Sequence, residues 1–177
     1  VFKRPDPKPY SEAELYDYAI RSLGRKMRTV AELKRLLRQR VMKDENSEAL
    51  IDAVVSRLKE HKYLNDSQYA TTYASYRKTN EKFGKLRVAT DLKIKGVQGD
   101  VIDKALAAAY SGENEESLVR QYLARKRVRK PASEKETARI FRSLVRAGFT
   151  SRSIFAVLKK WRVDDETLSV LETELPG

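Results

Sequence analysis

A spacing that recurs along the chain constrains its fold more than any single residue does. Leu92-x-x-x-Gly96-x-x-x-x-x-Ile102-x-x-x-Leu106 reappears, position for position, as Leu144-x-x-x-Gly148-x-x-x-x-x-Ile154-x-x-x-Leu158. A looser version opens the chain: Leu36-x-x-x-Arg40, then about five inserted residues, then Ile51-x-x-x-Val55. Apolar residues four apart share one face of an α-helix. A glycine just past a helix takes the left-handed conformation that closes the last turn and redirects the chain. Each copy follows a further apolar helix, so the repeating unit is three helices long. These features predict an all-α fold of three tandem three-helix repeats, 11–64, 65–112 and 113–162, in an elongated, curved arrangement. A flexible N-terminal arm, 1–10, precedes them, and a short C-terminal tail, 163–177, follows.

Local signals place the helices. Pro5, Pro7 and Pro9 exclude a helix from the arm. Ser11 with Glu14 and Thr29 with Glu32 have the form of capping boxes. Ser47 starts a third helix after the polar stretch Lys43–Asn46, and Asp66 is expected to cap a fourth. A break at Thr79–Phe83 should lead into a helix that buries Leu86, Ala89 and Leu92. Asp100, Asn114 or Glu115, Ser133, and Thr150 or Ser151 mark the later starts, and Asp164-Asp165 reads as a cap near the tail. With seven Gly and five Pro in 177 residues, little interrupts these helices, and no segment reads as a strand.

Charge narrows the function. The net charge is +12 with 35% charged residues, a balance that attracts DNA, RNA or acidic protein surfaces. The charge is also segregated. From Arg21 to Lys43 there are nine Lys or Arg against Glu32 alone, and from Arg120 to Arg146 ten against Glu134 and Glu136. On the middle helix of each repeat, Lys34, Arg35 and Arg38, then Lys85 and Arg87, then Arg139, Arg142 and Arg146 lie beside the apolar face. These residues, with Arg77, are the candidate partner- or DNA-binding set, and stacked repeats would join them into one stripe. Guanidinium groups suit such a role because each can pair with two oxygens of a phosphate or carboxylate. The competing explanation is an ordinary solvated helix surface.

Nothing in the sequence supports catalysis. There is no phosphate-binding loop, zinc-protease helix or nucleophile elbow. The sole histidine, His61, sits near a helix end, where a surface role is the ordinary one. With no cysteine, disulfides and thiolate metal sites are excluded, and neither cofactor nor metal is expected. Tyr69, Tyr73 and Tyr76 follow one helix face and fit packing better than base stacking. Trp161 should close the core of the last repeat. No apolar run approaches the roughly 18 residues needed to span a bilayer, so a soluble, cytoplasmic, monomeric protein is expected. The chain opens on Val1 rather than Met, which leaves room for residues upstream.

The run Tyr63-Leu64-Asn65-Asp66-Ser67-Gln68-Tyr69-Ala70, followed by Tyr73, Arg77, Gly84-x-x-Arg87 and Leu92-x-x-x-Gly96-Val97, resembles the joint between the first two repeats of the RecX regulatory family. Tyr18-Ala19-Ile20-Arg21-x-Leu23 with Ala31-Glu32-Leu33-x-x-Leu36-Leu37 resembles that family's first repeat. Arg142-x-Leu144-x-x-x-Gly148-Phe149 and Ile154 resemble its last. The likeness covers about residues 12–160. Asn65-Asp66 departs from the family's Asp-Asp, and Lys62 and Arg40 stand where Gly is common. The resemblance implies a non-enzymatic modulator that lies in the groove of the RecA filament on single-stranded DNA. It further implies inhibition of ATP hydrolysis, strand exchange and co-protease activity, and so a part in recombination, DNA repair and the SOS response. Direct contact with single-stranded DNA is an open part of that expectation. The alternatives are a helix-turn-helix-like protein that binds DNA without RecA and a scaffold that binds no nucleic acid. The basic rows run along helices and hold few Asn or Gln, which favours backbone or protein-surface contact over base reading.

Overall fold

A computed structural model describes residues 10–42 and 44–173. The proline-bearing arm before Tyr10, Lys43 of the first loop and the last four residues of the tail lie outside the described residues. The chain is all-α: ten helices and no strand occur among the described residues. It divides into two compact units. One takes the chain up to Ala70 together with Leu92–Ile102, and the other takes Thr71–Asp91 together with the chain from Asp103 onward. The division falls within the expected middle repeat.

In the first unit, α1 (Glu12–Arg25), α2 (Val30–Arg38) and α3 (Ser47–Glu60) enclose a core of Leu15, Ala19, Leu33, Leu37, Ile51, Val54 and Leu58, all fully buried. These are the positions that helical spacing selects. Burying each Leu or Ile contributes about 1.5–3 kcal/mol. Both capping boxes form: Ser11 Oγ accepts from the Glu14 N–H at 3.3 Å, and Thr29 Oγ1 from the Glu32 N–H at 3.1 Å. The glutamates return the contact, each accepting from the backbone N–H of its capping residue.

The start of α4 (Asp66–Glu81) differs from expectation. Asn65, not Asp66, caps it, with Asn65 Oδ1 accepting from the Gln68 N–H at 3.0 Å. Asp66 turns instead to α2 and accepts from the Val30 N–H at 2.9 Å. The neighbouring Thr29 hydroxyl donates to the Lys95 carbonyl at 2.6 Å, just beyond α5 (Lys85–Ile94). The N-terminus of α2 is therefore held by two groups distant in sequence.

In the second unit, α7 (Glu115–Arg125), α8 (Glu134–Arg146), α9 (Ser151–Lys160) and α10 (Asp165–Thr173) surround Leu118, Val119, Phe141, Leu144, Ile154, Leu158 and Leu168. Asn114, Ser133, Thr150 and Asp164 cap these four helices. Trp161 packs against the same core, as its place at the end of α9 suggested. The break before α5 is shorter than expected, since α4 continues to Glu81 and only Lys82–Gly84 intervene. On α5 the buried residues are Val88 and Leu92, whereas Leu86 is exposed. That turn is seated by its backbone: the Gly84 N–H donates to the Ala147 carbonyl at 2.8 Å and the Leu86 N–H to the Gly148 carbonyl at 3.2 Å. The remaining helix, α6 (Gly99–Ala109), buries Ile102, Ala105 and Leu106.

Both repeat glycines hold the left-handed conformation, with φ of 78° at Gly96 and 88° at Gly148. They also sit against another helix start, which the spacing did not reveal. A Cβ on Gly148 would collide with the backbone nitrogen of Arg87, and one on Gly96 with the Ala31 side chain.

Candidate functional site

The nine candidate cations do not form a uniform set. On α2, Lys34 is paired with Asp52 at 2.5 Å, and Arg38 grips Glu48 through two bonds of 2.7 and 2.8 Å. The Arg38 hydrogen bond holds the Glu48 carboxyl below its ordinary range, and Lys34 does the same to Asp52. Arg35 is exposed and makes no ion pair among the described residues. Two of the three α2 cations are thus neutralised on their own unit.

Arg77 is a packing cation. Half-buried in the second unit, it pairs with Glu81 at 2.8 Å and Asp91 at 2.9 Å, and its guanidinium lies 4.4 Å from the Phe83 ring centroid. Its Nε is buried without a partner among the described residues. Asp91 also accepts from the Tyr73 hydroxyl at 3.1 Å and pairs with Arg87 at 3.0 Å. One carboxylate therefore ties α4 to α5. Desolvation disfavours the charged guanidinium, but the nearby Tyr73, Glu81 and Asp91 outweigh it and raise the Arg77 pKa. Of the three tyrosines on α4, Tyr69 is buried, Tyr73 is partly covered and Tyr76 is exposed.

The third row is exposed throughout. Arg139, Arg142 and Arg146 are exposed on α8, whose opposite side carries the fully buried Phe141 and Leu144. Because the end of α8 meets the start of α5, the structure brings Arg146 and the exposed Lys85 and Arg87 to one joint of the second unit.

Sequence periodicity missed the cations of the connector between α7 and α8. Lys126, Arg127, Arg129 and Lys130 line a groove of about 390 Å³ together with Arg139. The basic run was plain in the sequence, but loop residues have no helical period, so face-by-face reasoning gave them no place. His61 is accounted for locally: its Nδ1 lies 2.7 Å from the Tyr16 hydroxyl, and Arg57 stacks on that tyrosine at 4.5 Å. No helix among the described residues is long and apolar enough to cross a membrane.

Comparison with known proteins agrees with the helical organisation. Residues 65–106 match the family model for the second three-helix domain of RecX. The chain is 32% identical over 146 residues to the regulatory protein RecX of Caldanaerobacter subterraneus subsp. tengcongensis, covering 82% of this chain and 70% of that protein. It is equally identical over 146 residues to RecX of Mycolicibacterium vanbaalenii, covering 78% and 77%. Against RecX of Bacillus pumilus, at 33% identity, it covers 82% of this chain but 54% of the relative. The crystal structure of RecX from Lactobacillus salivarius superposes with a TM-score of 0.65 at 20% identity, over 85% of this chain and 96% of that one. A further RecX crystal structure gives 0.69, also at 20% identity, over 84% and 71%. Sequence identity across most of the chain and a shared fold lead to one conclusion: this chain belongs to the RecX family of regulatory proteins.

Proposed function

We propose that this chain binds the RecA filament on single-stranded DNA, in the filament's groove, and inhibits its ATPase, strand-exchange and co-protease activities without catalysing a reaction itself. Family membership carries the choice of partner. The exposed arginine row of α8 supports the choice of face, since Arg139, Arg142 and Arg146 stand on the side opposite the buried core. A row of guanidinium groups in that setting can engage acidic protein surfaces or phosphates. Lys34, Arg38 and Arg87 already hold carboxylates of their own units, and Arg77 is committed to packing, so Arg139 and Arg146 of α8, with Lys85, are the stronger part of the proposed face.

The deciding experiment is RecA ATP hydrolysis on single-stranded DNA, titrated with this protein. Inhibition at levels well below RecA, and below those that coat free DNA, is the expected result. Unchanged hydrolysis alongside tight, salt-sensitive binding to naked DNA would overturn the filament reading in favour of direct DNA binding.

A further inference from the structure

We propose that the groove between the α7–α8 connector and α8 binds the phosphodiester backbone of single-stranded nucleic acid directly. This deepens the filament reading by assigning a contact to the strand itself, yet it concerns a site that needs no RecA to be measured. Five cations, Lys126, Arg127, Arg129, Lys130 and Arg139, converge on one concave surface. All five are exposed and none makes an ion pair among the described residues, unlike Lys34 and Arg38 of α2. The one carboxylate in the groove, Glu136, already accepts from the Ala132 N–H at 2.8 Å. That bond leaves its charge in place, so the groove sets five positive charges against one negative and its local field is strongly positive.

What the groove lacks identifies its ligand further. Its apolar floor is covered, with Leu123 buried and Val128 and Ile140 partly so, and the neighbouring Tyr122 is also buried. The groove's lining contains no aromatic anchor, so its recognition groups are the cations themselves. Nor is there an exposed ring on which a base could stack. The mode that this lining fits is electrostatic capture of a phosphate backbone with little dependence on sequence.

Arg127 makes the proposal separable from folding. It occupies the left-handed turn that ends α7, with φ of 53°. Its N–H donates to the Ala124 carbonyl and the Val128 N–H to the Leu123 carbonyl, both at 3.0 Å. Glycine is the residue that adopts this conformation without steric conflict. Arg127→Gly therefore removes a groove cation while keeping the turn.

The test is fluorescence anisotropy of a labelled, mixed-sequence single-stranded oligonucleotide with the whole chain, across salt concentrations and without RecA. Five phosphate contacts set a slope of log affinity against log salt near −3.5, and each cation removed should flatten it by about 0.7. Arg127→Gly should bind several-fold more weakly with undiminished thermal stability, and Arg129→Glu with Lys130→Glu should weaken binding at least tenfold. Wild-type affinity and slope in both variants would overturn the groove. So would equal affinity for a duplex of the same length, or displacement of the strand by polyglutamate at matched charge. Because this readout contains no RecA, its failure leaves the filament reading standing, and failure of RecA inhibition leaves the groove standing.

Discussion

Lys62, Lys82, Arg127 and Arg162 hold φ between 53° and 62°, and each follows the end of a helix. A left-handed residue with a side chain costs about 1–2 kcal/mol, while a cation near a helix C-terminus returns about 0.3–1 kcal/mol. The turn is thus made against a local penalty, which Lys62 meets with a side chain in place. Lys62→Gly should raise stability by roughly 0.5–1 kcal/mol, after allowance for the greater unfolded-state freedom of glycine. A urea midpoint equal to or below wild type would refute that account. Gly148 is the opposite case. Alanine there must adopt φ of 88° against the backbone of Arg87, and a loss of at least about 2 kcal/mol is expected in the same measurement.

At the scale of helices, the N-terminus of α2 is clamped by acids of opposite behaviour. Burial alone would push the Glu32 carboxyl up, but its bonds with Lys95 at 2.9 Å and with the Thr29 N–H hold it below the ordinary range. Its contribution is therefore present above the unfolded pKa and is lost as pH falls through the folded one. Burial raises the Asp66 carboxyl despite its bond with the Val30 N–H. That contribution is full at low pH and is lost as pH rises through the folded pKa. Asp66→Asn keeps an acceptor without the charge and should lie within about 0.5 kcal/mol of wild type at pH 7, whereas Asp66→Ala should lose about 1 kcal/mol. Equal losses in the two variants would show that the charge, not the acceptor, holds α2. None of this clamp was legible in the sequence beyond Thr29 and Glu32, because capping boxes are local and the Asp66 and Lys95 contacts are not. The helices themselves were legible: Leu15, Leu33, Ile51, Phe141 and Ile154 are buried as their spacing requires. Leu86 misled because its turn is seated by backbone bonds to Ala147 and Gly148 and not by its side chain.

For the molecule as a whole, the open question is whether net charge or its placement governs binding. The chain carries +12, so any loss of cations weakens attraction to a polyanion at long range, an effect that salt screens over about 10 Å at 0.1 M. A defined face should do more, because contacts at hydrogen-bond distance govern dissociation while remote charges mainly steer encounter. Arg139→Glu, Arg142→Glu and Arg146→Glu together remove as much charge as Arg21→Glu, Arg25→Glu and Lys104→Glu, which are exposed positions on α1 and α6. All six side chains lie outside the buried cores, so both triple variants should keep their helicity and melt within a few degrees of wild type. If placement governs, the α8 variant should need at least tenfold more protein to inhibit RecA ATP hydrolysis at 0.15 M salt, and the control variant no more than about threefold. Equal weakening in the two would make the protein a diffuse polycation and remove α8 as its working face.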